Sequence, residues 1–462
     1  MTIQNSTAEM DRVAHLHPYT NARKQEAEGP RVMVRGDGIH VYDAQGNEYI
    51  EGLAGLWSVA VGFGEKRLQK AASDQMGKLP YYHVFAQKTH DPAARLADKL
   101  VEITPDHLTK VFFTNSGSEA NDTVVKLVWF MNNALGRPGK KKFIARTNAY
   151  HGITVASGSL TGLPWNHNSF DLPAIPVRHL TCPHAYFHAN EGETEEQFTE
   201  RLADELEAVI EEEGPETIAA FIGEPLIGAG GVLVPPKGYW QKVQEICRRH
   251  EILIVADEVI TGFGRTGNMF ACETFGIHPD VLVTSKQITS SYQPLAAIMF
   301  ADEMYQVIAD HTDKLGTLGH GFTGSAHPVA TAVALENLAI IEEQMLVQNA
   351  GKMGAVLQKE LARFLDHPMV GEVRGCGLIA AVQLVADKSG RKPFNPEGKV
   401  GGYFFECAHD HGLIVRNIKD AIAICPPLII NEAQVKELVT RFEKALDQTW
   451  EFAISAGLTA GA

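Results

Sequence analysis

Ile252-Leu253-Ile254-Val255-Ala256 is an unbroken apolar run that ends on two carboxylates, Asp257-Glu258. Val281-Leu282-Val283 repeats the pattern and reaches Lys286 through Thr284-Ser285. A strand apolar on both faces belongs in a sheet covered by helices on both sides, because a solvated face would alternate. Val111-Phe112-Phe113, Phe143-Ile144-Ala145, Ala219-Ala220-Phe221-Ile222 and Ala297-Ile298-Met299-Phe300 read the same way. Helical stretches separate these runs. One is opened by Thr194-Glu195-Glu196-Gln197, a capping box, and continues with Phe198, Leu202, Leu206, Val209 and Ile210 at helical spacing. The predicted fold class is therefore α/β, with a large, mostly parallel sheet domain over residues 61–327.

The flanks have another texture. A long helical stretch over 328–344 and the segment Val370 to Leu378 open a smaller α+β domain, predicted over 328–462. The first thirty residues read as polar and irregular. Alternating segments at 31–35 and 39–43, around Gly36-Asp37-Gly38, predict a half-exposed hairpin, and Gly46-Asn47 a second turn. Residues 1–60 are expected to pack with the small domain.

The chain has 462 residues, 45% hydrophobic and 21% charged, which suits a soluble protein of at least two domains. A net charge of −15 argues against nucleic acid and anionic membranes as partners. None of the six cysteines has CxxC spacing, so no zinc or redox motif is expected. They are too sparse for a disulfide framework. The N-terminus shows no signal-peptide pattern, and no apolar stretch approaches the ~20 residues that span a bilayer. A cytoplasmic location is expected.

Ligands of open α/β sheets bind at the carboxyl ends of the strands. An ammonium there is costly unless used, and burial lowers its pKa as an imine-forming lysine requires. Lys286 and Asp257 alone read equally as a structural ion pair or as two groups bracketing pyridoxal phosphate. After Val111-Phe112-Phe113 come Asn115-Ser116-Gly117-Ser118-Glu119-Ala120-Asn121, a turn opening a helix, which suits a phosphate and is also an ordinary N-cap. Tyr150-His151-Gly152 places an aromatic where a flat ligand could stack, or a plain loop aromatic. Glu224, in Glu224-Pro225, reads chiefly as a structural acceptor and also as a site carboxylate. GxxxxGK[ST] is missing, against nucleoside triphosphates.

Asp257-Glu258-Val259-Ile260-Thr261-Gly262-Phe263-Gly264-Arg265-Thr266-Gly267, with Ser285-Lys286 and Tyr292-Gln293-Pro294-Leu295-Ala296, resembles the signature of class III aminotransferases. The likeness extends through the Ser116 turn, Tyr150-His151-Gly152, Glu224-Pro225 and Gly321-Phe322-Thr323 and covers nearly the whole chain. It implies a pyridoxal-phosphate enzyme of fold type I, most similar to the ω-transaminases, or amine:pyruvate aminotransferases. By that resemblance Lys286 is the Schiff-base lysine and Asp257 the partner of the pyridine nitrogen. Tyr150 would stack on the ring, Val259 pack its other face, and Ser116, Gly117 and Ser118 hold the phosphate. His151 and Glu224 join the cofactor-binding set. Thr323 would reach the phosphate of a partner subunit, so a homodimer with shared sites is implied; pairing into tetramers stays open.

For the substrate, Trp57 and Phe85 fall where ω-transaminases carry pocket aromatics, core packing being the plainer alternative. Arg416 matches a mobile arginine that binds a carboxylate bidentately, a surface ion pair being its alternative. Many relatives that act on ω-amino acids or ornithine have a glutamate at position 229; Ala229 here favours pyruvate over 2-oxoglutarate. The expected reaction is ping-pong transfer of an amino group from a primary amine or ω-amino acid to pyruvate. A 2-oxoglutarate-linked ω-amino acid or polyamine aminotransferase is the alternative. An aminomutase, a decarboxylating transaminase, a cofactor-binding regulator and a sugar-phosphate-binding protein fit less of the motif set. Four positions depart from the family pattern. Ser291, Ala326 and Lys419 stand where glycine is usual, and Gly324 stands where tyrosine is common.

Overall fold

The computed structural model describes residues 6–459. Its largest sheet runs in the order Leu108–Thr114, Ala296–Ala301, Val281–Thr284, Leu253–Asp257, Ile218–Gly223, Lys142–Arg146 and Val177–Leu180. Ala296–Ala301 is antiparallel to both neighbours, and the five strands from Val281–Thr284 onward pair in parallel. Each of the six apolar runs forms one of these strands. Val177–Leu180 is the exception the sequence pattern misses. Three of its four residues are only half-buried, so Arg178 and His179 interrupt any apolar run.

Both faces of the sheet are covered. Val255, Val281 and Val283 pack with Val124 and Val128 of the helix Gly117–Ala134. Ile254, Ala256 and Leu282 face the opposite side with Phe221 and Ile288. Each such buried aliphatic contributes roughly 1.5–3 kcal/mol, which makes the strand register hard to slip. The helix Glu195–Glu213 carries the expected capping box between Thr194 and Gln197. Phe198, Leu202, Leu206 and Ile210 are its buried stripe.

A second, antiparallel sheet orders Val370–Cys376, Ile379–Leu384, Ala421–Ile424 and Arg416–Ile418. A third contains the hairpin Met33–Asp37 and His40–Asp43, then Glu48–Glu51 and Leu413–Ile414. Leu413 pairs with Ile50 and Ile414 with Glu51, in parallel, so a late strand closes an early sheet.

The first thirty residues are less irregular than their sequence suggests. Two helices form, Thr7–Ala14 capped by Ser6 and Ala22–Glu28 capped by Asn21. Neither buries a residue, which is why no apolar periodicity announces them. Among the described residues no helix is long and apolar enough to cross a membrane. All six cysteines are free thiols.

Candidate active site

The sheet places Asp257 and Lys286 at neighbouring carboxyl ends. Asp257 is the last residue of its strand and pairs with Val283 of the next. Lys286 follows that strand in a left-handed conformation, φ 48°, and opens the turn Lys286–Thr289. Such a backbone costs a non-glycine residue about 1–2 kcal/mol and needs firm support. Gln287 supplies it, donating to the carbonyls of Ile260 at 2.9 Å and Gly262 at 2.8 Å. The fully buried Arg265 donates to Gln287 Oε1 at 3.2 Å and to the Pro426 carbonyl at 2.6 Å. The turn is thus tied to the antiparallel part of the molecule. Burial brings the Lys286 amine down to about 8, against the opposing pull of Asp257 and Glu224.

Asp257 is 3% exposed and held by three donors. Its Oδ2 accepts from Asn121 Nδ2 at 2.9 Å and His151 Nδ1 at 2.8 Å, and its Oδ1 from the Val259 amide at 3.2 Å. Glu224 is also buried and accepts from the amides of Tyr150 at 2.9 Å and Gly228 at 2.8 Å. Burial raises its carboxyl. It therefore acts as a structural acceptor that also fixes Tyr150.

These groups surround a cavity of about 120 Å³ lined by Gly117, Ser118, Tyr150, His151, Asp257, Val259 and Lys286, among others. Ser116 caps the helix above it, its Oγ accepting from the Glu119 amide at 3.2 Å. The Ser116 carbonyl takes the Ala120 amide. That leaves the amides of Gly117 and Ser118 for an anion at the positive end of an 18-residue helix. A Cβ at Gly117 would lie 3.2 Å from Val259 Cγ2. One at Gly152, φ +139°, would lie 2.7 Å from Ser118 Oγ and 2.2 Å from Ser157 Oγ. His151 Nε2 and Asn121 Oδ1 are buried without a partner among the described residues. An anion cradle, a clamped carboxylate, an aromatic and an amine around one slot fit pyridoxal phosphate. The slot is closed to side chains at both glycines.

A second cavity, about 590 Å³, shares Tyr150 and Lys286 with the first. Trp57, Ala229 and Arg416 line it, as the sequence suggests. Tyr19, Leu163 and Trp165 line it too, and nothing in their short local segments signals that position. Trp57 is 1% exposed, with φ 63° and an Nε1 that has no partner. Among the described residues no carboxylate stands within 4.0 Å of the Arg416 guanidinium. Burial lowers its pKa. Phe85 and Thr323 are not brought to either cavity of this chain. Phe85 is 45% exposed and lines a separate hollow of about 870 Å³ with His320 and Lys126. Thr323 is exposed nearby, its carbonyl accepting from Tyr81 Oη at 3.0 Å.

The aminotransferase class-III family profile matches residues 21–446, and the chain belongs to that family. It is a pyridoxal-phosphate aminotransferase of fold type I, moving amino groups from amine donors to 2-oxo acid acceptors. The ω-transaminase of Pseudomonas jessenii, solved in complex with PMP, superposes with a TM-score of 0.96 at 59% identity, over 97% of this chain and 99% of that one. Gamma aminobutyrate transaminase 3 of Solanum lycopersicum, a chloroplastic protein, is 47% identical over 94% of this chain and 84% of its own length. The vanillin aminotransferase of Capsicum annuum is 46% identical over 94% and 95% respectively.

Proposed function

We propose that this enzyme is an amine:pyruvate aminotransferase. It takes the amino group of a primary amine or ω-amino acid, releases an aldehyde or ketone, and gives the group to pyruvate to form alanine. The carrying observation is Arg416, a guanidinium without an ion pair among the described residues, in the apolar cavity that also receives Lys286. A small 2-oxo acid can present its carboxylate to Arg416 and its carbonyl to the cofactor side. Ala229 leaves that wall without the carboxylate that would compete for the arginine.

When bound, pyridoxal phosphate supplies an electron sink for the carbon that loses its proton. Asp257, oriented by Asn121 and His151, would hold the ring nitrogen's proton. Ser116, Gly117 and Ser118 would hold the phosphate, while Tyr150 and Val259 would take the ring faces. Lys286 Nζ anchors the cofactor at rest. Once free, Lys286 Nζ would take the proton from the amine-bearing carbon and give it back on the other side of the transfer. An amine near 8 is suited to both directions of transfer. Arg416 turns towards a carboxylate substrate and away from an apolar one.

Phe85 and Thr323 are assigned to the site of a partner subunit. Exposed Tyr81, Tyr82 and Phe85 form an aromatic patch that a second copy would cover. The division into 1–60, 61–327 and 328–462 is kept as the domain reading, and six free thiols favour a reducing, cytoplasmic setting. The P. jessenii enzyme engineered for enantiopure bulky amines carries replacements of a tryptophan, a phenylalanine and an arginine. Each is numbered one above Trp57, Phe85 and Arg416, which supports their role in amine scope.

Arg416→Ala tests the reading. A lost bidentate, charge-assisted contact is worth about 2–3 kcal/mol, so the KM for pyruvate should rise roughly 30–150-fold. That for an arylalkyl amine should change less than about threefold. Equal rises would refute the arginine's role, and faster turnover with 2-oxoglutarate than with pyruvate would refute the acceptor. Lys286→Ala should lose the absorbance of enzyme-linked cofactor together with turnover.

A further inference from the structure

The two N-terminal helices meet at a side-chain cluster that amino transfer does not use. Asp11 Oδ1 lies 3.0 Å from His15 Nδ1, and Oδ2 lies 2.7 Å from His17 Nε2. One ligand atom from each of the three residues falls within 4.8 Å of the other two. From the second helix, Gln25 brings its amide nitrogen to 3.2 Å from Asp11 Oδ2 and 3.5 Å from His17 Nε2. Turning that amide about its last torsion presents Oε1 instead, since the two ends are nearly isosteric. Two imidazole nitrogens, a carboxylate oxygen and an amide oxygen make a four-donor set for a borderline divalent cation such as zinc. As solvent-facing hydrogen bonds alone these contacts would add little to stability.

The position gives the cluster a consequence. The link between the helices contains Pro18 and Tyr19, and both line the cavity shared by Lys286 and Arg416. Tyr19 Oη takes a hydrogen bond from Asn166 Nδ2 at 2.5 Å, beside the lining residue Trp165. The helices on either side bury no residue, so apolar packing does little to hold the link. We propose that Asp11, His15, His17 and Gln25 form a divalent-cation site, of zinc type, which fastens the Pro18-Tyr19 strap over the substrate cavity.

The test uses the full-length, cofactor-loaded enzyme, stripped of metal and titrated calorimetrically with zinc alone. One ion per chain should bind with a dissociation constant on the order of micromolar. His15→Ala/His17→Ala should weaken binding by more than about 100-fold, and Asp11→Asn by about tenfold or more. Cobalt should give the visible absorption of a tetrahedral N/O site in the native enzyme and not in the double variant. Zinc should also slow tryptic cleavage at Arg23 and Lys24 and shift the KM for a bulky amine at nearly constant kcat, in the native enzyme only. Three results would overturn the proposal: no stoichiometric binding, equal affinity in the double variant, or binding that leaves cleavage unchanged.

Discussion

Glu51 carries a stability prediction whose size and sign follow from its place in the fold. It ends the strand Glu48–Glu51, is 6% exposed, and its Oε1 accepts the Leu53 amide at 3.0 Å. Burial pushes its carboxyl from the ordinary 4.5 up to about 8. Between those values the folded protein keeps a proton that the unfolded chain releases. Stability therefore falls as pH rises from 4.5 to about 8 and stays low above. Each pH step is worth about 1.4 kcal/mol, so ionising Glu51 in place costs roughly 4–5 kcal/mol, less whatever local opening relieves. Glu51→Gln keeps the acceptor for Leu53 and removes the charge. Its gain should be near zero at about pH 5 and several kcal/mol at about pH 9. A chain of 462 residues unfolds with an entropy of about 1 kcal/mol/K. The midpoint should then rise by about 3–5 °C at about pH 9 and by less than ~1 °C at about pH 5. Scanning calorimetry of the cofactor-loaded enzyme at one heating rate reads this directly. A gain equal at all pH values, or a loss at alkaline pH, would show that no buried charge is being relieved.

The family departures at Ser291, φ 58°, and Lys419, φ 52°, fall in the left-handed region where glycine is at ease. Ser291→Gly and Lys419→Gly should each stabilise by about 1 kcal/mol, close to 1 °C by calorimetry, and a loss at both would contradict the strain argument. Gly152→Ala places a methyl 2.2 Å from Ser157 Oγ in a backbone an L residue avoids. Pyridoxal phosphate should bind at least about tenfold more weakly, measured by release into cofactor-free buffer, and unchanged retention would argue against a close approach there.

What could be read from the chain and what could not divide along a physical line. Strands buried on both faces leave unbroken apolar runs, and the candidate catalytic groups sit where those runs stop. Asp257 and Lys286 were therefore legible from their strands, and Gly117 and Ser118 from a helix opening. The same runs do not say how Lys286 is held. Its left-handed turn depends on Gln287 and the buried Arg265, whose partners lie far along the chain. Glycine-preferring positions filled by Ser291, Ala326 and Lys419 could be noticed as departures, but only their positive φ angles explain why glycine is usual. The substrate cavity is harder still. Tyr19 comes from the strap between two helices that bury nothing, Trp57 from a kinked turn, Trp165 from a short helix, and Arg416 from a strand edge. No periodicity links such segments, because each packs against the others and not along its own axis. A wall assembled this way can change residue by residue without disturbing the sheet that holds Asp257 and Lys286. On the proposed reading the chemistry is written in the regular part of the fold, and the choice of amine in the irregular part. Substitutions at Tyr19, Trp57 or Trp165 should for that reason move KM among amines, while those at Asp257 or Lys286 move turnover for all of them.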